Sequence, residues 1–225
     1  MRSGAGTRSR RSKPPPASTK SEPHAGPRPS LPARLQTRLE RLYAVETPAI
    51  DPFVRASEHG RELVELVEDE GELSIAVHLP SEAVSAEGSL PLDLLCQVVE
   101  GVSHFVYLAE RARRGLPATQ LELELQAEVD KFVIVAEAIG RAASDEAERR
   151  RLRALRAAMF ERVRYLHEAH TEPGARYRLA NELAARFIGS IEDAWVGARD
   201  ALLLARLRRF HGAGQREKIE MARAA

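Results

Sequence analysis

Three histidines and one glutamate have the residue types and spacing that could bind a metal ion. Glu100 and His104 lie four residues apart, and His167 and His170 lie three apart farther along the chain. Residues three or four apart share one side of a helix, so each pair can act together. Metal centres in helical bundles are built from such inward-facing side chains. The sequence therefore predicts Glu100, His104, His167 and His170 as candidate ligands of a divalent metal.

The same histidines also have a simpler interpretation. The chain contains no Glu-x-x-His sequence, which excludes the carboxylate-bridged di-iron pattern of ferritin-like bundles. Histidines in proteins commonly serve as hydrogen-bonded or solvated side chains without any ligand. We therefore expect no cofactor, and we keep a divalent metal at these residues as the alternative.

A second group of polar residues lies in segment 121–136. Its apolar residues occupy two nearly opposite sides of a helix, which predicts a helix packed on both sides. Some of Glu122, Glu128, Asp130 and Lys131 must then be largely buried. Because an unpaired buried charge is costly, we expect pairs such as Glu128 with Lys131, or Asp130 with an arginine of another helix. The group is either a structural salt-bridge network or a functional carboxylate cluster.

The short motifs that identify common enzyme classes are missing from this sequence. It has no phosphate loop, dinucleotide fingerprint, nucleophile elbow, zinc-type cysteine pattern or HExxH. No catalytic residue is identified, and a non-enzyme is favoured over an enzyme. We interpret the chain first as a non-catalytic module for protein interaction or self-assembly. A metal-binding protein or metal-dependent enzyme is the alternative.

The elements that would hold these residues are mainly helical. Ala, Leu, Glu and Arg make up over half of the chain, which is typical of helical proteins. Apolar periodicity predicts helices over 35–45, 92–114, 119–140, 146–170 and 175–211. Gly189 and Gly197 predict a bend or break in the last of these. Alternating residues over 73–79, preceded by a turn at 68–71, predict a β-hairpin over 61–79.

We thus predict a mainly α fold: a four-helix-bundle-like domain preceded by a β-hairpin and a disordered basic N-terminal tail. Residues 1–33 are rich in Pro, Arg and Ser and lack large apolar residues before Leu31, so they cannot form a core. The predicted divisions are a tail over 1–33, a short helix and hairpin over 34–89, and a helical bundle over 90–225. Net charge over the whole chain is only +1, so nucleic-acid binding is expected only through the basic tail.

Location and assembly follow from the same sequence features. A single cysteine, Cys96, excludes an intramolecular disulfide, and no apolar run approaches the roughly 18 residues of a membrane span. We expect a cytoplasmic protein without a membrane span. The last predicted helix carries apolar residues at or beyond the margin of its buried face, which predict a contact with a second copy or another protein. These interface candidates are Trp195, Leu203, Leu204 and Leu207.

Overall fold

The computed structural model describes residues 29–69, 72–84, 90–140, 142–197 and 200–224. Within these ranges the chain forms eight α-helices and three β-strands. The helices are α1 (Leu31–Tyr43), α2 (Ser81–Val84), α3 (Leu92–Arg113), α4 (Gln120–Ile139), α5 (Asp145–Arg156), α6 (Glu172–Val196), α7 (Asp200–Gly212) and α8 (Gln215–Arg223). The strands are β1 (Val54–Ala56), β2 (Leu63–Asp69) and β3 (Glu72–Leu79). The prediction of a mainly helical fold is confirmed, and most of the predicted tail, residues 1–28, lies outside the described residues.

The three strands form one small sheet in the order β1-β3-β2. β2 and β3 are antiparallel, with Leu63 opposite His78 and Asp69 opposite Glu72, which confirms the predicted hairpin. Residues 70 and 71 of its turn lie outside the described residues. β1 pairs with β3 in parallel and was not predicted, because three residues are too few to show an alternating pattern.

Helix α4 lies at the centre of the helical part. It packs most extensively against α3 and α6, and it also contacts α5 and α8. Its buried residues include Leu125 and Val129 as well as Ala127 and Ile134, which the sequence placed on two different faces. A helix with partners on two sides needs two apolar faces, so the predicted double packing of segment 121–136 is confirmed.

The predicted helix over 146–170 ends earlier than expected. α5 stops at Arg156, a π-helical turn covers Ala157–Glu161, and residues 162–171 are not helical. Side chains of α6 satisfy carbonyls that a continued helix would have used: Asn181 Nδ2 donates to the Phe160 carbonyl at 2.9 Å, and Arg178 donates to the His167 carbonyl at 3.0 Å. Tertiary contacts therefore override the local helical pattern here.

The predicted helix over 175–211 is divided into two helices, α6 and α7. α6 ends at Val196 and α7 begins at Asp200, so the break expected at one of two glycines occurs at Gly197. Gly189 lies inside α6 without interrupting it.

Helix α3 meets the length and hydropathy criterion for a membrane span, with a mean hydropathy of 1.3 over its most apolar 18 residues. Half of that window is buried within the chain, and core helices of soluble proteins pass the same test. The expected absence of a membrane span and the expected cytoplasmic location stay predictions.

Gly101 allows the sheet to pack directly on α3. A Cβ atom at this position would lie 2.8 Å from Leu79 Cδ2 and 3.1 Å from both Val77 Cγ1 and Glu62 Cγ. Real side chains do not tolerate the first of these distances without movement. The missing side chain therefore lets β3, and the chain that enters β2 at Glu62, approach α3 one residue after Glu100.

We expect Gly101→Ala to lower the free energy of unfolding by about 1–3 kcal/mol, because the added methyl group overpacks the contact between α3 and the sheet. Gly189→Ala is the matched control. It also lies inside a helix, but its Cβ would meet only the terminal Arg156 Nη1 at 3.4 Å. The control should be neutral or more stable by up to about 1 kcal/mol. Urea unfolding of both variants measures this, and equal stabilities would contradict the close-packing argument.

Candidate functional site

A cluster of acidic and basic side chains is buried between α3, α4 and the chain that enters β2. Glu100 and His104 come from successive turns of α3, and Glu124, Glu128 and Lys131 come from successive turns of α4. Glu62, immediately before β2, completes the cluster by contacting His104. We call these six residues the carboxylate–histidine cluster.

Three members of this cluster converge at a single point. Ligand atoms of Glu100, His104 and Glu124 all lie within 4.8 Å of one another. Three ligand atoms bound to one ion at about 2.0–2.2 Å lie about 3.3–3.8 Å from one another. Side-chain movements of less than about 1 Å would therefore bring all three atoms onto one ion. We call Glu100, His104 and Glu124 the metal-binding triad.

The His104 imidazole has one nitrogen engaged and one without a partner. Nδ1 lies 3.4 Å from Glu62 Oε1, whereas Nε2 is buried and has no hydrogen-bond partner within the described ranges. The residue is only 7% exposed, so water does not readily satisfy that nitrogen. Burial lowers the pKa of His104, but contact with Glu62 and the charges of Glu100 and Glu124 outweigh it and raise the pKa to about 9.

Lys131 neutralises one side of the cluster. Its Nζ donates to Glu128 Oε1 at 2.7 Å and to Glu100 Oε2 at 3.0 Å, so the predicted Glu128–Lys131 pair is present. Burial lowers the pKa of the Lys131 ammonium, but the two carboxylates outweigh this effect and raise it. Burial raises the pKa of Glu100, and Lys131 and His104 together reverse that change and lower it. Lys131 is therefore a permanent positive charge between two carboxylates.

Glu124, unlike Glu100 and Glu128, forms no ion pair with Lys131 among the described residues. Burial raises the pKa of its carboxyl to about 7, an effect that His104 only partly offsets. The Tyr177 hydroxyl of α6 lies near Glu124, and burial together with the charge of Glu124 raises the pKa of this hydroxyl. Burial also raises the pKa of Glu62 and that of Glu128, so the pKa of three of the four carboxylates is raised and only that of Glu100 is lowered.

A pocket of about 190 Å³ lies beside the triad. Glu100 belongs to both the pocket and the triad, and Glu62, Glu128 and Lys131 also line the pocket. The other wall comes from residues 163–167 and Tyr177.

The predicted set of three histidines does not come together. His167 lines the pocket and stacks on the Tyr177 ring at 5.6 Å, but it is exposed and is not part of the metal-binding triad. His170 is exposed in the turn before α6 and is not a member of the triad or of the pocket lining. Both were placed on the inner face of a helix, and that helix ends before them. Of the predicted metal ligands, only Glu100 and His104 converge.

The predicted polar network of α4 divides into separate groups. Glu128 and Lys131 belong to the carboxylate–histidine cluster. Glu122 completes the capping box of α4, whose N-cap is Thr119: its side chain accepts from the Thr119 backbone N–H at 2.7 Å and lies 3.6 Å from Arg111. The expected pair of Asp130 with an arginine of another helix is not found among the described residues, and that prediction is wrong.

Asp130 instead belongs to a buried network of neutral donors. Ser103 Oγ donates to its Oδ2 at 2.6 Å, Gln126 Nε2 donates to its Oδ1 at 2.9 Å, and the Tyr43 hydroxyl also donates to Oδ1. Lys218 of α8 is completely buried beside this network and donates to Gln126 Oε1 at 2.5 Å and to the Phe210 carbonyl at 2.8 Å. We call this the Asp130 network.

The predicted interface residues surround a groove of about 500 Å³ next to α1 and α4. Trp195 and Leu207 are almost fully buried in the core, whereas Leu203 and Leu204 are half-buried. The prediction of an exposed apolar surface therefore applies only to Leu203 and Leu204.

Sequence reasoning missed Glu62, Glu124 and Tyr177 as members of the site. Glu124 could have been found, because Glu124, Glu128 and Lys131 are spaced like Glu100 and His104, at successive helical turns. Glu62 and Tyr177 carry no such signal, since their positions depend on how the sheet and α6 dock.

No family model, curated protein or solved structure matches this chain.

We expect the stabilising effect of Lys218 to grow as pH rises. Burial and the charge of Arg111 lower its pKa to about 7 despite Asp130 and Glu122, while an unfolded lysine keeps its proton to about pH 10.4. Between these values the unfolded state binds more protons than the folded state, so this contribution to stability increases with pH.

Lys218→Met removes the titrating group with little change in volume. The free energy of unfolding of wild type, relative to that of this variant, should increase from pH 7 to pH 9.5. Arg216→Met, an exposed substitution on the same helix, should show no such shift. A difference for Lys218→Met that stays constant with pH would contradict the expectation.

Proposed function

We propose that this chain binds a divalent transition-metal ion through Glu100, His104 and Glu124. The observation that carries this proposal is the state of His104, a buried imidazole whose Nδ1 faces the Glu62 carboxylate, whose Nε2 has no partner, and one of whose nitrogens lies within 4.8 Å of carboxylate oxygens of Glu100 and Glu124. Metal-ligating histidines typically use one nitrogen for the metal and donate from the other to a carboxylate. Glu62 would supply that second contact.

The charges of the cluster support a cation. Four carboxylates, Glu62, Glu100, Glu124 and Glu128, face one lysine and one histidine. A divalent ion would compensate Glu124 and Glu100 directly and would take the place of the proton on His104. One imidazole with two carboxylates suits Zn²⁺, Mn²⁺ or Fe²⁺ better than Ca²⁺, which prefers six to eight oxygen ligands.

The positions of the helices also suit a core metal site. We infer that α3, α4, α5 and α6 form a four-helix-bundle-like core, because α4 contacts the other three and α5 contacts α6. The triad spans α3 and α4 within this core, so a bound ion would join the two helices. We therefore propose a metal-binding helical protein with a small pocket next to its ion.

Metal binding is measured on the full-length protein by calorimetry and by metal analysis after dialysis, with Zn²⁺ and Mn²⁺ as the probes. We expect one ion per chain. His104→Ala and Glu124→Gln should abolish binding, because each removes a ligand. Glu62→Gln should weaken it by about 10–100-fold, which is typical of the loss of a partner behind a metal-bound histidine.

The matched control is His170→Ala, which removes an exposed histidine outside the triad. It should bind the ion as wild type does. Circular dichroism establishes that each variant is folded before its affinity is interpreted. Wild-type protein that binds neither ion, or a loss in His170→Ala as large as that in His104→Ala, would overturn this site.

Self-association is a second candidate function, supported by the groove beside Leu203 and Leu204. Both leucines are half-buried on the chain's own core, and a second copy that covered them would bury their remaining apolar surface.

We expect Leu203→Glu to shift an assembled protein to the monomer in light scattering, because it places a charge in the covered surface. Leu202→Glu is the matched control: the neighbouring leucine is exposed and does not line the groove. A wild type that is monomeric at 100 times the working concentration, or an equal effect of both substitutions, would contradict self-association through this groove.

A further inference from the structure

The pocket beside the metal-binding triad has the size of a small molecular group. Its volume of about 190 Å³ is many times the space that a single water molecule needs. A phosphate or a short carboxylic acid therefore fits inside it. Because Glu100 is shared with the triad, a molecule in the pocket would lie next to the proposed ion.

The acidic side chains that line the pocket already have basic partners. Glu100 and Glu128 both accept from Lys131, and Glu62 faces His104. With these partners, and with Glu100 also a ligand of the proposed ion, the carboxylates are already engaged within the cluster rather than available to an organic cation in the pocket.

Two arginines at the pocket have no such partner. Arg61 and Arg164 both line it, and across the described ranges neither guanidinium makes an ion pair or a hydrogen bond at contact distance, although the charge of Arg61 is close enough to help lower the pKa of Glu100. Other arginines nearby do: Arg151 pairs with Glu148, and Arg176 pairs with Glu172. A guanidinium offers two parallel N–H donors that match the oxygens of a carboxylate or a phosphate.

The aromatic rings of the pocket also disfavour a cation. Arg178 already covers the Tyr165 ring at 4.3 Å, and His167 stacks on the Tyr177 ring at 5.6 Å. These contacts occupy ring faces that could otherwise attract a cationic ligand. The free binding groups of the pocket are thus its two guanidiniums.

We propose that this pocket binds the oxyanion group of a small molecule, a carboxylate or a phosphate, with Arg61 and Arg164 as its recognition residues. The inference deepens the proposed function by naming its ligand class, and it rests on that function in one respect only. A bound divalent ion adds positive charge beside the pocket, so oxyanion binding should be tighter in the metal-loaded protein.

The test titrates full-length protein with sodium sulfate, as a soluble tetrahedral stand-in for phosphate, and with malonate as the carboxylate. Both titrations are run at fixed ionic strength, with and without Zn²⁺, because free salt screens exposed charges. Metal content is measured on the same samples. The variants are Arg61→Ala, Arg164→Ala and their combination, all at exposed positions. Arg162→Ala, exposed and outside the pocket lining, is the matched control.

We expect at least one of the two anions to bind, and each single variant to weaken it by about tenfold while metal content and Arg162→Ala stay as in wild type. The anion that binds more tightly assigns the group as tetrahedral or planar. Wild type that binds neither anion, or equal weakening by Arg162→Ala, would overturn the pocket. Anion binding that depends on Arg61 and Arg164 in a protein that takes up no metal would support the pocket and contradict the metal site.

Discussion

The burial of four carboxylates against one lysine and one histidine is the constraint on which the site depends. Lys131 balances Glu100 and Glu128 at hydrogen-bonding distance, and its contact with Glu100 joins α3 to α4. The charges of the remaining two carboxylates, Glu62 and Glu124, are compensated mainly by His104. Because isolated buried charges are costly, the fold must either protonate these groups or hold a cation among them. The raised pKa of His104 and that of Glu124 are two consequences of this imbalance.

The Asp130 network shows what a purely structural buried acid looks like in the same helix. Asp130 receives donors from Ser103, Tyr43 and Gln126, which belong to three different helices, and both of its oxygens are satisfied. Lys218 is buried nearby and is held by an amide oxygen and a backbone carbonyl. Such a network fixes the packing of α1, α3, α4 and α8. In the carboxylate–histidine cluster, which uses other positions of the same helix, ligand atoms of two carboxylates and an incompletely bonded imidazole converge within 4.8 Å, and this contrast favours a ligand site there.

Sequence reasoning predicted those features that depend on one segment alone. Periodicity located α3, α4 and the hairpin, and the spacing of Glu100 with His104 and of Glu128 with Lys131 predicted neighbours that the structure also shows. It failed where a position depends on docking between segments. Glu62 reaches His104 only because Gly101 lets the sheet approach α3, and no local pattern encodes that contact. The sequence alone does not predict it.

The early end of α5 connects the fold errors with the pocket. Its sequence continues in a helical pattern. If the helix extended to residue 170, Arg164 and His167 would be part of that helix and not of the pocket wall. The π turn and the nonhelical segment 162–171 instead bring both residues to the pocket, opposite Glu100. Gly174 permits the close approach, since a Cβ atom there would lie 1.9 Å from the Glu168 carbonyl oxygen. Departures from local propensity concentrate at functional sites in proteins, and this one forms a wall of the pocket.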